Sequence, residues 1–356
     1  MKNTRLLFVI WMLFLVLPQG YSQEKKEDSS VLGQVNGFLS KHVKLTAYGQ
    51  FGYSYTDRKD LDVSQADNQF FGRLGMLILS GDITDKLSWM VQYELFTSQL
   101  LKLYACYKPY SFFQVKIGRM KTCFTLENQM SSSVYETVNF SRVIERLAGF
   151  SGDVCGGRDM GLQGGGELFK TSVDDYFLEY RVGVYNGSGL SMKDHNDAKD
   201  FAAWFTVQPV KGLKMGASAY IGKLNDDYTV VNDETGEETI YNTNMKRNRM
   251  ALSTCYQTHR LTCRGGEYLW GKDGSINRRV FYALGYWFAI PSRLAVVAKL
   301  ERYEADTAVS DSEMIYTVGG AYYITPKTRI MLNYAHFSYE KSVSVNELWA
   351  MSQIGF

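Results

Sequence analysis

The sequence predicts an all-β fold, a transmembrane antiparallel β-barrel of sixteen strands, on three observations. The chain opens with a secretory-type leader. Period-2 patterns run along nearly all of the remainder, and the chain stops on an alternating strand, Glu347 to Phe356. A last strand at a chain end finds its partner in the first strand when a barrel closes. In hydrocarbon, closure is what leaves no unpaired backbone edge.

In the leader, Lys2 and Arg5 precede an apolar run from Leu6 to Leu17, and Gly20-Tyr21-Ser22 stand before Gln23. The run is short for a membrane-spanning helix and fits a cleaved signal peptide over residues 1–22. Residues 23–42 then form a short periplasmic segment, and 43–356 the barrel. Removing Lys2 and Arg5 takes the basic count from 39 to 37, equal to the 37 acidic residues. Net charge therefore gives no reason to expect a nucleic-acid partner.

Strands are expected at 43–55, 69–80, 87–96, 99–107, 113–120, 159–170, 176–186, 200–209, 213–221, 247–257, 261–270, 278–290, 293–304, 312–324, 328–337 and 346–356. In each the two faces differ. Tyr176, Leu178, Tyr180, Val182 and Val184 oppose Glu179 and Arg181; Leu294, Val296, Ala298 and Leu300 oppose Lys299 and Glu301. A soluble sandwich alternates too, so the connections decide. Short ones near 81–86, 108–112, 171–175, 210–212, 258–260, 291–292 and 325–327 take turns with others near 56–68, 121–158, 187–199, 222–246, 271–277, 305–311 and 338–345. Short periplasmic turns and longer external loops are the rhythm of an outer-membrane barrel. Aromatic pairs at strand ends, such as Phe70-Phe71 and Trp287-Phe288, suit interfacial girdles.

A water-filled lumen takes the polar face. Parity selects Lys44, Arg73, Glu94, Lys102, Lys116, Glu179, Arg181, Lys299 and Glu301 as wall residues. Segment 121–158 is long enough to enter the lumen and narrow it. Within it, Asn139 to Leu147 is read as a short helix that sets Arg142 and Arg146 on one face, an anion-attracting patch. The alternative is that these arginines pair with Glu145 and only hold the loop in place.

Chemistry beyond passage finds no motif. There is no Cys-x-x-Cys pair, and His42, His195, His259 and His336 are scattered, which disfavours zinc. Gly161 to Gly166 lacks the lysine and the strand–helix setting of a phosphate loop and reads as a close-packed strand. No catalytic residue, cofactor or metal is expected. Cys255 and Cys263 either meet across a hairpin near His259 or sit as small hydrophobes on one face.

Several strings resemble, in order, the phosphate-selective porin O/P family of bacterial outer membranes, in its divergent Bacteroidetes-type branch. They are Phe70-Phe71-Gly72-Arg73-Leu74, Gly81-Asp82-Ile83-Thr84, Lys108-Pro109, Lys116 through Asn128, Asn139-Phe140 to Glu145-Arg146, Arg158-Asp159-Met160-Gly161-Leu162-Gln163, Arg302-Tyr303-Glu304 and Gly319 through Thr328. Cys123 stands where the family pattern has proline. The resemblance implies a sixteen-stranded, often trimeric porin in the outer membrane of a Gram-negative bacterium, in contact with its lipid. It would pass small hydrophilic solutes or inorganic anions, phosphate among them. The alternative is a non-conducting structural or adhesive barrel plugged by loop 121–158.

Overall fold

The computed structural model describes residues 43–57, 68–148, 156–171, 175–190, 194, 198–224, 227–231, 238–242, 245–309 and 311–356. The expected signal peptide, residues 1–22, and the expected periplasmic segment 23–42 lie outside them. The strands are β1 (Lys44–Asp57), β2 (Asn68–Thr84), β3 (Leu87–Glu94), β4 (Gln99–Tyr110), β5 (Phe113–Lys121), β6 (Arg158–Lys170), β7 (Tyr176–Tyr185), β8 (Asp200–Val210) and β9 (Leu213–Leu224). Then come β10 (Asp227–Val231), β11 (Glu238–Asn242), β12 (Met245–Gln257), β13 (Leu261–Asp273), β14 (Ile276–Ile290), β15 (Leu294–Glu304), β16 (Ser312–Thr325), β17 (Thr328–Tyr339) and β18 (Val345–Gly355). All but β10 and β11 form one closed antiparallel barrel of sixteen strands, each paired with its neighbour in sequence order.

Closure is made by β1 against β18, in register from Tyr48 opposite Gly355 to Asp57 opposite Asn346. The Phe356 N–H extends the seam with a bond to the Ala47 carbonyl at 3.1 Å. The expected strands are all present, with ends within a few residues. Turns at 85–86, 111–112, 211–212 and 326–327 lie at the end that holds both barrel termini. At the opposite end the 222–246 connection contains an unanticipated hairpin, β10 with β11. The 271–277 connection is tighter than expected, a turn at 274–275 with Gly274 at φ 58°.

Burial follows the pleat. Along β15, Ala295, Val297, Lys299, Glu301 and Tyr303 are buried toward the lumen. Leu294 and Val296 are exposed on the outer face, which lipid covers. Outward aromatics such as Tyr53, Tyr55 and Phe70 near one rim and Tyr107, Tyr110, Phe113 and Trp287 near the other flank this belt. Gly118, at φ 127°, brings β5 so close to β4 that a Cβ there would strike the Leu103 carbonyl. Gly161 meets the Val184 carbonyl the same way, so the glycine run is strand packing.

A bulge alters the sequence parity of β2. Between β1 and β2 the register shifts at Gln50, so Arg73 is the extra residue of β2 and turns into the lumen beside Leu74. Cys255 and Cys263 are not bonded: both are free thiols. Cys255 sits opposite Arg264 and Cys263 opposite Tyr256, a one-residue offset that puts them on opposite faces of the wall.

The constriction loop and the candidate pore

The described part of the connection from β5 to β6, residues 122–148 and 156–157, folds into the barrel. Its neck is tied by Asn128, fully buried: the side-chain amide donates to the Thr122 and Gly157 carbonyls, and its oxygen accepts from the Gly157 N–H at 3.1 Å. Thr125 caps the one-turn helix Leu126–Gln129 by accepting from the Asn128 N–H. Past this turn, Ser131 caps a 3₁₀ turn over Ser132–Val134, and Val143–Ala148 forms a π-helical turn.

The underside of the loop is apolar. Cys123, Phe124, Val143, Ile144, Leu147 and Ala148 are buried in one cluster with Tyr185, Trp204 and Tyr220 of β7 to β9 and with Leu269, Val280 and Tyr282 of β13 and β14. Polar bonds complete the crossing. The Val138 N–H donates to the Asn333 side chain at 2.7 Å, and Arg329 donates to the Ser133 and Tyr135 carbonyls. Arg264 grips Glu136 with two bonds, at 2.9 and 2.5 Å. The loop therefore spans the lumen from β7–β9 to β13–β18.

Arg142 is the most heavily bonded loop side chain. Its Nε and Nη2 donate to the two Glu313 oxygens at 2.8 and 2.6 Å, and Nη1 pairs with Glu145. Its own N–H donates to Glu301, whose other oxygen holds Lys299 at 2.6 Å. Burial lowers the guanidinium pKa, but the two carboxylates outweigh it and leave the group above its ordinary value. Arg146 differs: it is exposed and forms no ion pair among the described residues. The short helix expected over Asn139 to Leu147 is instead a π-helical turn over Val143–Ala148, and Arg142, just before it, is held to the wall by Glu313 while Arg146 stays exposed. Nearby, burial raises the Glu127 carboxyl to about 7 against the opposing pull of Lys299, the Ser141 hydroxyl bond and Arg264.

The wall residues fall into groups. Arg73 donates to Gln50 at 2.6 Å and lies 4.1 Å from the centre of the Phe140 ring of the loop. Glu94 caps the turn at 95–98, accepting from the Gly75, Phe96 and Thr97 N–H groups and the Thr97 hydroxyl. Lys102, Lys116, Glu179 and Arg181 are partly exposed on β4, β5 and β7. There Arg181 pairs with Glu179, donates to Gln129 at 2.9 Å and stacks on Trp204. Lys116 lies over the Tyr104 ring with no carboxylate in ion-pair reach. Lys44 is exposed at the mouth that holds the termini.

Parity reasoning missed Arg247 and Arg249 of β12, Arg264 of β13 and Arg329 of β17, all buried toward the lumen. The signal was present in β12, where outward Met250 and Leu252 leave Arg247 and Arg249 facing in. Between loop residues 137–145 and β15–β18 a cavity of about 160 Å³ remains, lined by Thr317, Phe337, Trp349 and the Arg142–Glu301 group. Among the described residues no His, Cys, Asp and Glu cluster is arranged to hold a metal.

A closed sixteen-stranded barrel with an inserted third loop is the architecture of outer-membrane porins, and solved porins superpose on it. OmpT of Vibrio cholerae, described as a trimer form, matches at 12% identity over 88% of this chain and 99% of its own, with a TM-score of 0.62. OmpF of Salmonella typhi, in complex with daunomycin, matches at 12% over 88% and 98%, with a TM-score of 0.60. At such identities the likeness establishes the fold. The family model described as phosphate-selective porin O and P matches residues 45–251, and the chain belongs to that family. No curated protein sequence matches. The protein is thus an outer-membrane channel of a Gram-negative bacterium, not an enzyme.

Proposed function

We propose that the protein passes small hydrophilic solutes and inorganic ions by diffusion, anions in preference, through a lumen narrowed by loop 122–157. The observation that carries this reading is the unequal neutralisation of the cations. Arg142 and Lys299 are closed against Glu313, Glu145 and Glu301, whereas Arg146 and Lys116, on water-reachable surface, form no ion pair among the described residues. Fixed positive charge in a narrow aqueous path raises anion occupancy. Phosphate passage, which the family description suggests, belongs to the same proposal, as do a homotrimer and export through a cleaved signal peptide over residues 1–22.

A second reading, a plugged structural barrel, is favoured by the apolar cluster that joins loop to wall across the lumen. Planar-bilayer recording of the purified protein separates the two. Stable ohmic conductance with an anion-directed reversal potential in a KCl gradient supports the channel, and Arg146→Ala and Lys116→Ala should each move that potential toward cations. Repeated insertion without conductance overturns it. Native mass measurement in detergent tests the trimer.

A further inference from the structure

The cavity between loop and β15–β18 has a chemistry of its own. Its basic groups are closed: Arg142 is taken by both Glu313 oxygens and Glu145, and Lys299 by Glu301, whose other oxygen accepts from the Arg142 N–H. An anion that shed water here would find no free counter-charge. Two polar groups of largely buried wall residues are left over and open onto the cavity. The Thr317 hydroxyl and the Trp349 indole N–H, on residues 5% and 7% exposed, border the cavity and bond to no other described residue. Phe140, Phe337 and Trp349 supply aromatic surface around them.

We propose that this cavity is a retention subsite for an uncharged polyhydroxylated ring, a solute of the monosaccharide class, during its transit. The inference rests on the diffusion reading and names one substrate class for it. Polar groups that open onto a cavity and have no protein partner are completed by water or by a ligand that offers matching groups. A sugar ring offers hydroxyls that accept from the indole N–H and exchange bonds with Thr317, while its C–H faces cover aromatic rings that neither an inorganic ion nor a flexible glycol covers as well. The size agrees: about 160 Å³ is the space of roughly five waters at about 30 Å³ each, too little for an oligosaccharide.

The test is single-channel current from the purified full-length protein in planar bilayers, with D-glucose titrated in and triethylene glycol as the size control. Glucose should block saturably, and the glycol only in proportion to concentration. Thr317→Val, close in shape to the native residue, should raise the half-blocking glucose concentration about tenfold, the scale of one lost hydrogen bond, and Trp349→Phe, which also trims aromatic surface, by at least as much. Heat-modifiable gel mobility checks that each variant has folded. A glucose effect no different from that of the glycol overturns the subsite while leaving the channel standing. So does saturable block that both folded variants retain unchanged, or saturable block by inorganic phosphate in place of glucose. Absence of any conductance overturns the channel reading and the subsite with it.

Discussion

Arg142 and Glu313 meet as two forks: Nε to one carboxylate oxygen at 2.8 Å, Nη2 to the other at 2.6 Å, with Phe337 beneath the guanidinium. One residue comes from the loop and the other from β16, so this pair is a main latch of the constriction. Replacing Glu313 by Gln leaves a largely buried guanidinium with Glu145 as its remaining carboxylate partner. The expected loss is about 3 kcal/mol, as when one partner of a buried pair is removed. It should appear as a lower unfolding temperature in detergent and noisier open-channel current, with recovery in the swapped pair Arg142→Glu with Glu313→Arg.

The latch and the selectivity charge are separable. The double variant Arg142→Ala with Glu313→Gln removes one charge of each sign and should leave the KCl reversal potential unchanged. Arg146→Ala, which removes a positive charge that no described residue pairs, should shift it toward cations. Equal shifts in the two proteins would refute that division of labour.

Glu127 makes loop docking depend on pH. Its pKa is raised from 4.5 in the open chain to about 7 in the docked loop, so between these values the docked state binds more protons than the undocked one. The contribution is complete below pH 4.5 and is lost as pH rises through about 7, amounting to at most about 3 kcal/mol. Thermal unfolding should occur at a higher temperature at pH 5 than at pH 8. Glu127→Gln, which keeps an acceptor for the Ser141 hydroxyl, should flatten much of that difference.

Deleting Phe356 removes the bond to Ala47 and an apolar side chain from the outer face of the closing seam. The loss of about 2 kcal/mol on the scale of one large apolar side chain should lower the yield of folded barrel, read as the heat-modifiable gel fraction.

The wall was legible because lipid and lumen impose opposite demands on alternate residues. Leu294 and Val296 against Lys299 and Glu301 show it in β15. The bulge that turns Leu74 into the lumen beside the expected Arg73 follows backbone register, which parity alone does not encode. The loop was visible as length and charge, but its partners were not. Ser133 meets Arg329 and Val138 meets Asn333, each about two hundred positions away in sequence. Arg142 was expected to share a face with Arg146, and its role turned on Glu313, a residue of a distant strand.

Gln50 accepts from Arg73 and donates to Gln353 of β18 at 2.8 Å and to the Ser132 carbonyl of the loop at 3.4 Å. Ser133 and Tyr135 of the loop are in turn held by Arg329 of β17. The same few residues that set the calibre of the passage thus clasp, from within, the first strand to the last two. A substitution that draws the loop aside to admit a bulkier solute also slackens the join where the cylinder shuts. Permeability and mechanical integrity are inherited together in this protein.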